Sequence, residues 1–462
     1  MVKKLEKKSL AYKRQNAFDT LPEAEVKAAY KYSEGYKKFL DAGKTERECV
    51  TEAIRQAEAA GFTAFDGKKP KAGAKVYKSI GGKALILAVI GTRPLIEGAN
   101  IAGAHVDSPR LDLKQLPLYE SDEVALFKTH YYGGVKKYQW VAIPLALHGV
   151  VAKLDGSIVE VTIGEDETDP VFFVSDLLPH LGRDQAKKTL GEAFTGEHLN
   201  ILIGTRPTGD TTEKDRFKAT VLEYLDEKYG IEEEDFLSAE LEAVPAGRAR
   251  DAGFDRSMIL GYGHDDRSCT YAELRAILDL KKPAKTAICI LTDKEEIGSE
   301  GVTGSQSAAF DAFMAELCGT IENVAKCYEN SFCLSADVCN AFDPNYPEVS
   351  EKNNSARLNH GIAIMKFTGH GGKSGASDAS AETIAHLRRM FGNASVAWQM
   401  SELGKVDQGG GGTIAKYMAN RNIATVDAGV PVISMHAPWE AVSKLDCYMT
   451  YKGIVALYGN ND

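Results

Sequence analysis

Thr286-Ala-Ile-Cys-Ile-Leu-Thr-Asp-Lys-Glu-Glu-Ile-Gly-Ser299 opens as an apolar run and closes on two adjacent acids. Residues 286–291 have the length and composition of a buried strand, and Gly298-Ser299 supply the turn that ends it. Glu295 and Glu296 therefore stand at a strand's end, where two like charges beside a core repel each other and lose hydration. A cation holding one of them, with the other left to carry a proton, resolves that conflict. In a metallohydrolase one carboxylate binds the metal while its neighbour takes a proton from the attacking water and hands it to the leaving group. The ordinary alternative is a solvated turn whose acids face a helix N-terminus.

Outward from this strand, the chain after Arg250 alternates between two periods. Residues 269–280, 306–316 and 379–391 read as helices, and 286–291 and 362–367 as strands, which is the pattern of an α/β sheet covered on both faces. Upstream, Pro22 suits the first turn of a helix over 22–40. Thr45-Glu-Arg-Glu48 has capping-box spacing for a second helix stopped by Gly61. Runs 74–80 and 84–90 flank Gly81-Gly82 as a hairpin. A short strand then delivers His105 and Asp107 to its end, and Pro109 prevents its ladder from continuing. Between 113 and 247 the character changes to β-rich. Residues 141–151, 158–163 and 171–174 are strand-like, with a hairpin signal at Asp155-Gly156, one helix over 213–229 and a solvated acidic loop at 232–235. The expected organisation is an α/β domain of mixed sheet between helices, made of residues 1–112 and 248–462 and interrupted by an insert at 113–247.

Composition sets the outer limits. The 462 residues are enough for two or three domains and a large core. A formal net charge of -10, from 65 acids against 55 bases, speaks against a general binder of nucleic acid or anionic membrane. Eight cysteines are scattered without any C-x-x-C, which favours a reducing compartment. No apolar segment follows the basic start at residues 1–8, and the longest apolar run, 84–90, is a strand's length. A cytoplasmic protein is expected. Gly409-Gly-Gly-Gly412 lacks the following Lys-Ser or Lys-Thr of a phosphate loop.

If Glu295 and Glu296 serve a metal, further ligands should stand at the ends of apolar runs. His105 has Asp107 two residues on, the spacing at which a carboxylate orients a ligating imidazole. Asp265 and Asp266, in Gly261-Tyr-Gly-His-Asp-Asp-Arg267, either cap the following helix or bridge two ions. Leu334-Ser-Ala-Asp337 and Val430-Pro-Val-Ile-Ser-Met-His436 each end in a candidate ligand. Two imidazoles and several carboxylates without thiolates suit zinc, cobalt or manganese in a hydrolytic pair, whereas calcium or magnesium would take oxygen almost exclusively. No strand-linked G-x-S-x-G and no H-E-x-x-H are present, so serine-hydrolase and single-helix zincin readings lose ground.

The succession GAHVDSPRLDLK (103–114), HDD (264–266), DKEEIGSEG (293–301), SADVCNAFDPNY (335–346) and ISMHAPWE (433–440) closely resembles the aspartyl aminopeptidase family of dinuclear zinc metallopeptidases, in a bacterial-type form. The resemblance runs along nearly the whole chain. It implies that His105 ligates one metal, Asp265 bridges, Glu296 and Asp337 ligate, and His436 completes the second site. Glu295 is then the general base and Asp107 orients His105. It also implies two divalent ions, zinc foremost, and peptide substrates cleaved at their N-terminal residue. The insert becomes a dimerisation domain, with dimers assembling into a tetrahedral dodecamer. Lys366 matches a lysine near the family's substrate pocket and suits an acidic side chain, although Asp343 and Asp378 flank the same region. His180 lies where members send a histidine into the neighbouring subunit's site. Eukaryotic members usually carry Leu-Asp-Asn at 264–266 and histidines at Asn340 and Asp343, differences that leave the metal set intact and bear on substrate choice. An acidic or neutral first residue is expected. The alternatives are a dinuclear deacylase or carboxypeptidase-like amidohydrolase and, from another class, a non-catalytic peptide-binding shell.

Overall fold

The computed structural model describes residues 10–209, 212 and 214–461. The basic start and the first residue of the helix expected at 213–229 lie outside them. A nine-stranded mixed sheet runs in the spatial order Thr63–Ala64, Lys75–Ile80, Ala84–Val89, Thr286–Thr292, Ala99–His105, Phe332–Ser335, Ala424–Gly429, Ile362–Met365, Trp398–Met400. Its centre is parallel, since Thr286–Thr292, Ala99–His105, Phe332–Ser335 and Ala424–Gly429 all point the same way.

The central strands are apolar on both faces because both are covered. Along Thr286–Thr292, Ala287, Cys289 and Leu291 join one core with Phe39, Val50, Ile277 and Leu457, while Ile288 and Ile290 turn to another with Phe313, Met314 and Met418. This is the period of two expected of a pleated strand. Each large aliphatic side chain so buried contributes about 1.5–3 kcal/mol. Helices Glu23–Ala42, Glu46–Ala59, His264–Asp279 and Lys444–Tyr458 supply the first layer, and Ala309–Cys318 and Ile321–Glu329 the second. The capping box forms, with Glu48 N donating to Thr45 Oγ1 at 3.2 Å and Thr45 N to the Glu48 carboxylate at 3.1 Å.

A second, antiparallel sheet of seven strands spans Arg110 to Pro245 around its own core, in which Trp140, Leu145, Phe236 and Val244 are buried. The chain passes from one sheet to the other at Pro109, between Ala99–His105 and Arg110–Ser121. The alternation missed Arg110–Ser121 because its pairing with Val124–Tyr132 shifts register between Leu113 and Leu118, breaking the period. The strand expected at 141–151 begins only at Leu145, after a 3-10 turn at Lys137–Trp140 and a left-handed Ala142 (φ 57). The one expected at 171–174 shortens to Phe173–Val174. A third sheet of five short strands includes Met258–Gly261, Glu440–Ser443 and Pro431–Ile433. Among the described residues, no helix is long and apolar enough to cross a membrane.

Candidate metal centre

Three parallel strands end along one edge of the large sheet. Thr292 pairs with His105 and Ser335 with Gly103, so the residues that follow each strand gather at one place. That edge, beyond the carboxyl ends of parallel strands, is where open α/β sheets bind ligands. It brings together His105, the Glu295–Ile297 turn and Asp337. Asp265 and Asp266, joined by a cis peptide bond, enter from the start of helix His264–Asp279. His436 comes from the link between the third sheet's Pro431–Ile433 and Glu440–Ser443.

Asp265 lies between two imidazoles. Its Oδ1 is 3.1 Å from His105 Nε2 and its Oδ2 is 3.2 Å from His436 Nε2. Asp337 Oδ1 stands 3.8 Å from His105 Nε2, and Glu296 Oε1 3.4 Å from His436 Nε2. Two groups of donors result, sharing one carboxylate. Behind them the main chain is anchored. Asp107 accepts the N–H groups of Glu295 and Glu296, each at 3.2 Å, and its Oδ1 is 3.3 Å from His105 Nδ1. The helix His264–Asp279 holds the His105 peptide from both sides, the Asp266 carboxylate accepting its N–H at 3.3 Å and Thr270 Oγ1 donating to its carbonyl at 2.7 Å.

Electrostatically the cluster is costly without a cation. Burial, then neighbouring carboxylates, pushes Glu296 and Asp266 well above the usual range, and the same causes raise Asp337. Burial lifts Glu295 to about 7. Burial would lower His105, but the carboxylates of Asp107 and Asp265 outweigh it and hold the imidazole well above its ordinary value. His436 is carried to about 10 by Asp265 and Glu296 against the same burial. Asp265 moves the other way: burial raises it, and the two imidazoles more than reverse that.

The donor set fits zinc. Asp265 Oδ1, Asp266 Oδ1 and Glu296 Oε1 are buried without a hydrogen-bond partner, although Asp265 Oδ1 and Glu296 Oε1 lie close to imidazole nitrogens. Carboxylate oxygens gathered around imidazole nitrogens in this way are what a metal site supplies, and that donor set is a common zinc environment. His105, Asp265 and Glu296 offer ligand atoms within 4.8 Å of one another, as do His105, Asp266 and Asp337.

A cavity of about 570 Å³ opens at the cluster, lined by Asp265, Glu295, Glu296, Asp337 and His436. The glycine run forms part of its wall, and a Cβ on Gly409 or Gly410 would collide with the Leu403 or Gly369 carbonyl at 1.8 or 2.2 Å. Gly409 and Gly410 thus serve close backbone packing, while Gly411 and Gly412 face open space. Lys366 is not among the lining residues. Its Nζ pairs with Asp378 at 3.0 Å on an exposed edge, and the same carboxylate holds Lys373, which does line the cavity. Asp343 accepts the N–H of Asn345 in an exposed turn. His180 is exposed in the second sheet's long loop.

Sequence reasoning passed over Glu440, whose carboxylate accepts the N–H groups of both Asp265 and His436, at 3.0 and 2.7 Å. It also missed the end of strand Val124–Tyr132, where Tyr132 Oη donates to Asp107 at 2.8 Å. Their only sequence signals are an acid four residues after a ligand histidine and an aromatic followed by two glycines.

A family profile described as aminopeptidase I zinc metalloprotease (M18) matches residues 39–458. A curated protein of Clostridium acetobutylicum named "Probable M18 family aminopeptidase 1" is 52% identical, over 96% of this chain and 98% of its own. The crystal structure of aminopeptidase I from the same organism superposes with a TM-score of 0.92 at 50% identity, covering 98% of this chain and 100% of that one. The mApe1 dodecamer of S. cerevisiae, at 19% identity and a TM-score of 0.75 over 93% of this chain and 96% of that one, shares the fold.

Proposed function

The chain belongs to the M18 family of aminopeptidase I zinc metalloproteases and hydrolyses N-terminal residues from peptides in a metal-dependent reaction, for which we propose two zinc ions on either side of Asp265. His105 and Asp337 would hold one together with Asp265, and His436 and Glu296 would hold the other with the same carboxylate. Zinc bound there would supply a Lewis acid for the scissile carbonyl and a lowered pKa for water. Glu295 takes the proton of the attacking water at its carboxylate and returns it to the leaving amine. Burial raises its carboxyl above the ordinary range, a direction that suits a group which must both take up and give back a proton. Asp107 keeps His105 aimed, and through the N–H groups of Glu295 and Glu296 it fixes base and ligand in one turn.

Away from the metal cluster the cavity is lined by Lys373, Lys405 and Lys416 against Glu402 and Asp407, and this small excess of cations favours an acidic or neutral first residue over a basic one. Lys366 acts on that choice through Asp378, the carboxylate it shares with Lys373. Residues 113–247 form the dimerisation domain, and dimers assemble to a tetrahedral dodecamer in the cytoplasm, with His180 reaching a neighbouring subunit's site. Support comes from the exposed Val171, Phe173, Leu177, Leu178, Leu181 and Leu190, an apolar set gathered in that segment, and from the dodecamer of the yeast relative.

The placement of Asp265 between two imidazoles carries the two-ion reading. Metal analysis of the zinc-saturated, dialysed protein, paired with hydrolysis of aminoacyl p-nitroanilides and their N-acetyl counterparts, tests it. Two zinc ions per chain with cleavage of the free-amine set only are expected. One ion per chain would reject the pair, and cleavage confined to the acetylated set would transfer the protein to the deacylases.

A further inference from the structure

Tyr132-Gly133-Gly134 ends strand Val124–Tyr132 of the second sheet and runs behind both imidazoles of the metal centre. At one end, Tyr132 Oη donates to Asp107 Oδ2 at 2.8 Å, and Asp107 meets His105 Nδ1 with its main-chain carbonyl as acceptor at 3.0 Å and its other carboxylate oxygen at 3.3 Å. At the other end, the Gly134 carbonyl accepts from His436 Nδ1 at 2.9 Å. The segment thus meets the Nδ1 side of each ring, through Asp107, whose carboxylate it holds and whose carbonyl accepts from the ring, for His105 and directly for His436. The Nε2 atoms of both face Asp265.

The two glycines permit this approach. Gly133 has φ +72, and a Cβ there would meet Glu296 Cβ at 3.3 Å and Pro109 Cγ at 3.4 Å. A Cβ on Gly134 would stand 3.2 Å from His436 Nδ1. The backbone lies where only a residue without a side chain fits comfortably. Tyr132 is fixed from its far side. The Arg110 guanidinium sits 3.9 Å from its ring centre and is itself held by Asp112 at 2.8 Å, Glu242 at 3.0 Å and Glu46 at 3.2 Å.

We propose that Tyr132-Gly133-Gly134 is a positioning element of the metal centre, through which the second sheet fixes the orientation of both ligating histidines. A ring whose Nδ1–H is committed to an acceptor presents the Nε2 lone pair, and the acceptor sets the angle at which it does so. Tyr132 does not touch substrate. It acts by restricting Asp107, and Gly134 acts by restricting His436. Because the segment belongs to the second sheet, the joint between the two sheets becomes part of the determinant of metal affinity. This inference rests on the two-zinc reading above.

The test uses the full chain stripped of metal, as wild type, Tyr132→Phe, Gly134→Ala and the control Tyr131→Phe, a neighbouring tyrosine on the same strand. Tyr132→Phe keeps the ring on Arg110 and removes only the hydroxyl. Zinc is titrated against a chromogenic chelator, the visible spectrum is recorded with cobalt, and kcat and KM are measured separately. Tyr132→Phe is expected to weaken zinc binding by about 10- to 100-fold, to shift the cobalt bands and to lower kcat with KM little changed. Gly134→Ala should shift the bands differently, since it acts on the other histidine, and Tyr131→Phe should match the wild type. Wild-type zinc affinity and cobalt bands in both Tyr132→Phe and Gly134→Ala would overturn the inference while leaving the two-zinc reading intact. A wild type that takes up no zinc would overturn both.

Discussion

Glu440 and Asp265 are joined by one hydrogen bond, the Glu440 carboxylate accepting the Asp265 backbone N–H at 3.0 Å, and it ties together parts of the chain 175 residues apart. The second oxygen of the same carboxylate accepts the His436 N–H at 2.7 Å. Burial, and then the Asp265 charge, pushes Glu440 up to about 8. One side chain therefore sets the spacing between Asp265 and His436 in the candidate metal centre.

Glu440→Gln keeps the shape and one acceptor but turns an amide N–H₂ towards a backbone N–H. An unsatisfied buried donor pair costs about 1–3 kcal/mol. Calorimetric zinc titration of the variant should show one of two binding steps weakened by about tenfold or more, with the other close to wild type. Two unchanged steps would remove Glu440 from the metal centre's support.

Glu295→Gln retains a polar group of the same size and loses the capacity to accept a proton. Turnover should fall by about 10²- to 10⁴-fold, while zinc content stays at the wild-type value. Loss of zinc along with activity would make Glu295 a ligand rather than the base.

Most of the candidate metal centre was legible because the residues gathered there are local in the chain. His105 and Asp107 are two residues apart, Glu295 and Glu296 adjacent, and each group follows an apolar run that the period of two identifies as a strand. The parallel register then brings those ends together. What supports the ligands was not legible, because Glu440, Tyr132 and Gly134 act across sheets and carry no period of their own. The same limit applies to strand Arg110–Ser121, whose irregular pairing hides its alternation. Lys366 was expected at the substrate, and it pairs instead with an exposed carboxylate shared with a lysine of the cavity, a relation that only the fold displays.

Substrate choice should therefore respond to Lys373 more than to Lys366. Comparison of kcat/KM for Asp, Glu, Leu and Lys aminoacyl substrates should show selective loss of the acidic pair in Lys373→Ala. Lys366→Ala should show a smaller loss of the same kind, since it leaves Asp378 to Lys373 alone. Equal losses across all four substrates would assign both lysines to folding.

The joint between the sheets carries its own pH dependence. His148, on Leu145–Ala152, places Nδ1 2.8 Å from Glu48 and Nε2 3.2 Å from Glu165, and Lys44 also contacts Glu165. Burial lowers this imidazole, and the two carboxylates more than compensate, so its pKa is raised in the fold. A histidine raised above its unfolded value stabilises fully below that value, about 6.5, and the contribution is lost as pH rises through the folded pKa. The thermal midpoint of the wild type should consequently fall relative to His148→Gln as pH increases from about 6.5. Parallel midpoint curves for the two proteins would show that folding leaves the imidazole's pKa unshifted.

The sharing of Asp265 between two zinc ions is tested most directly by anomalous diffraction at the zinc edge from crystals of the zinc-loaded protein. Two peaks are predicted, one against His105 and Asp337 and one against His436 and Glu296, with an oxygen of Asp265 directed at each. A single peak, or two peaks with both Asp265 oxygens on the same ion, would contradict it.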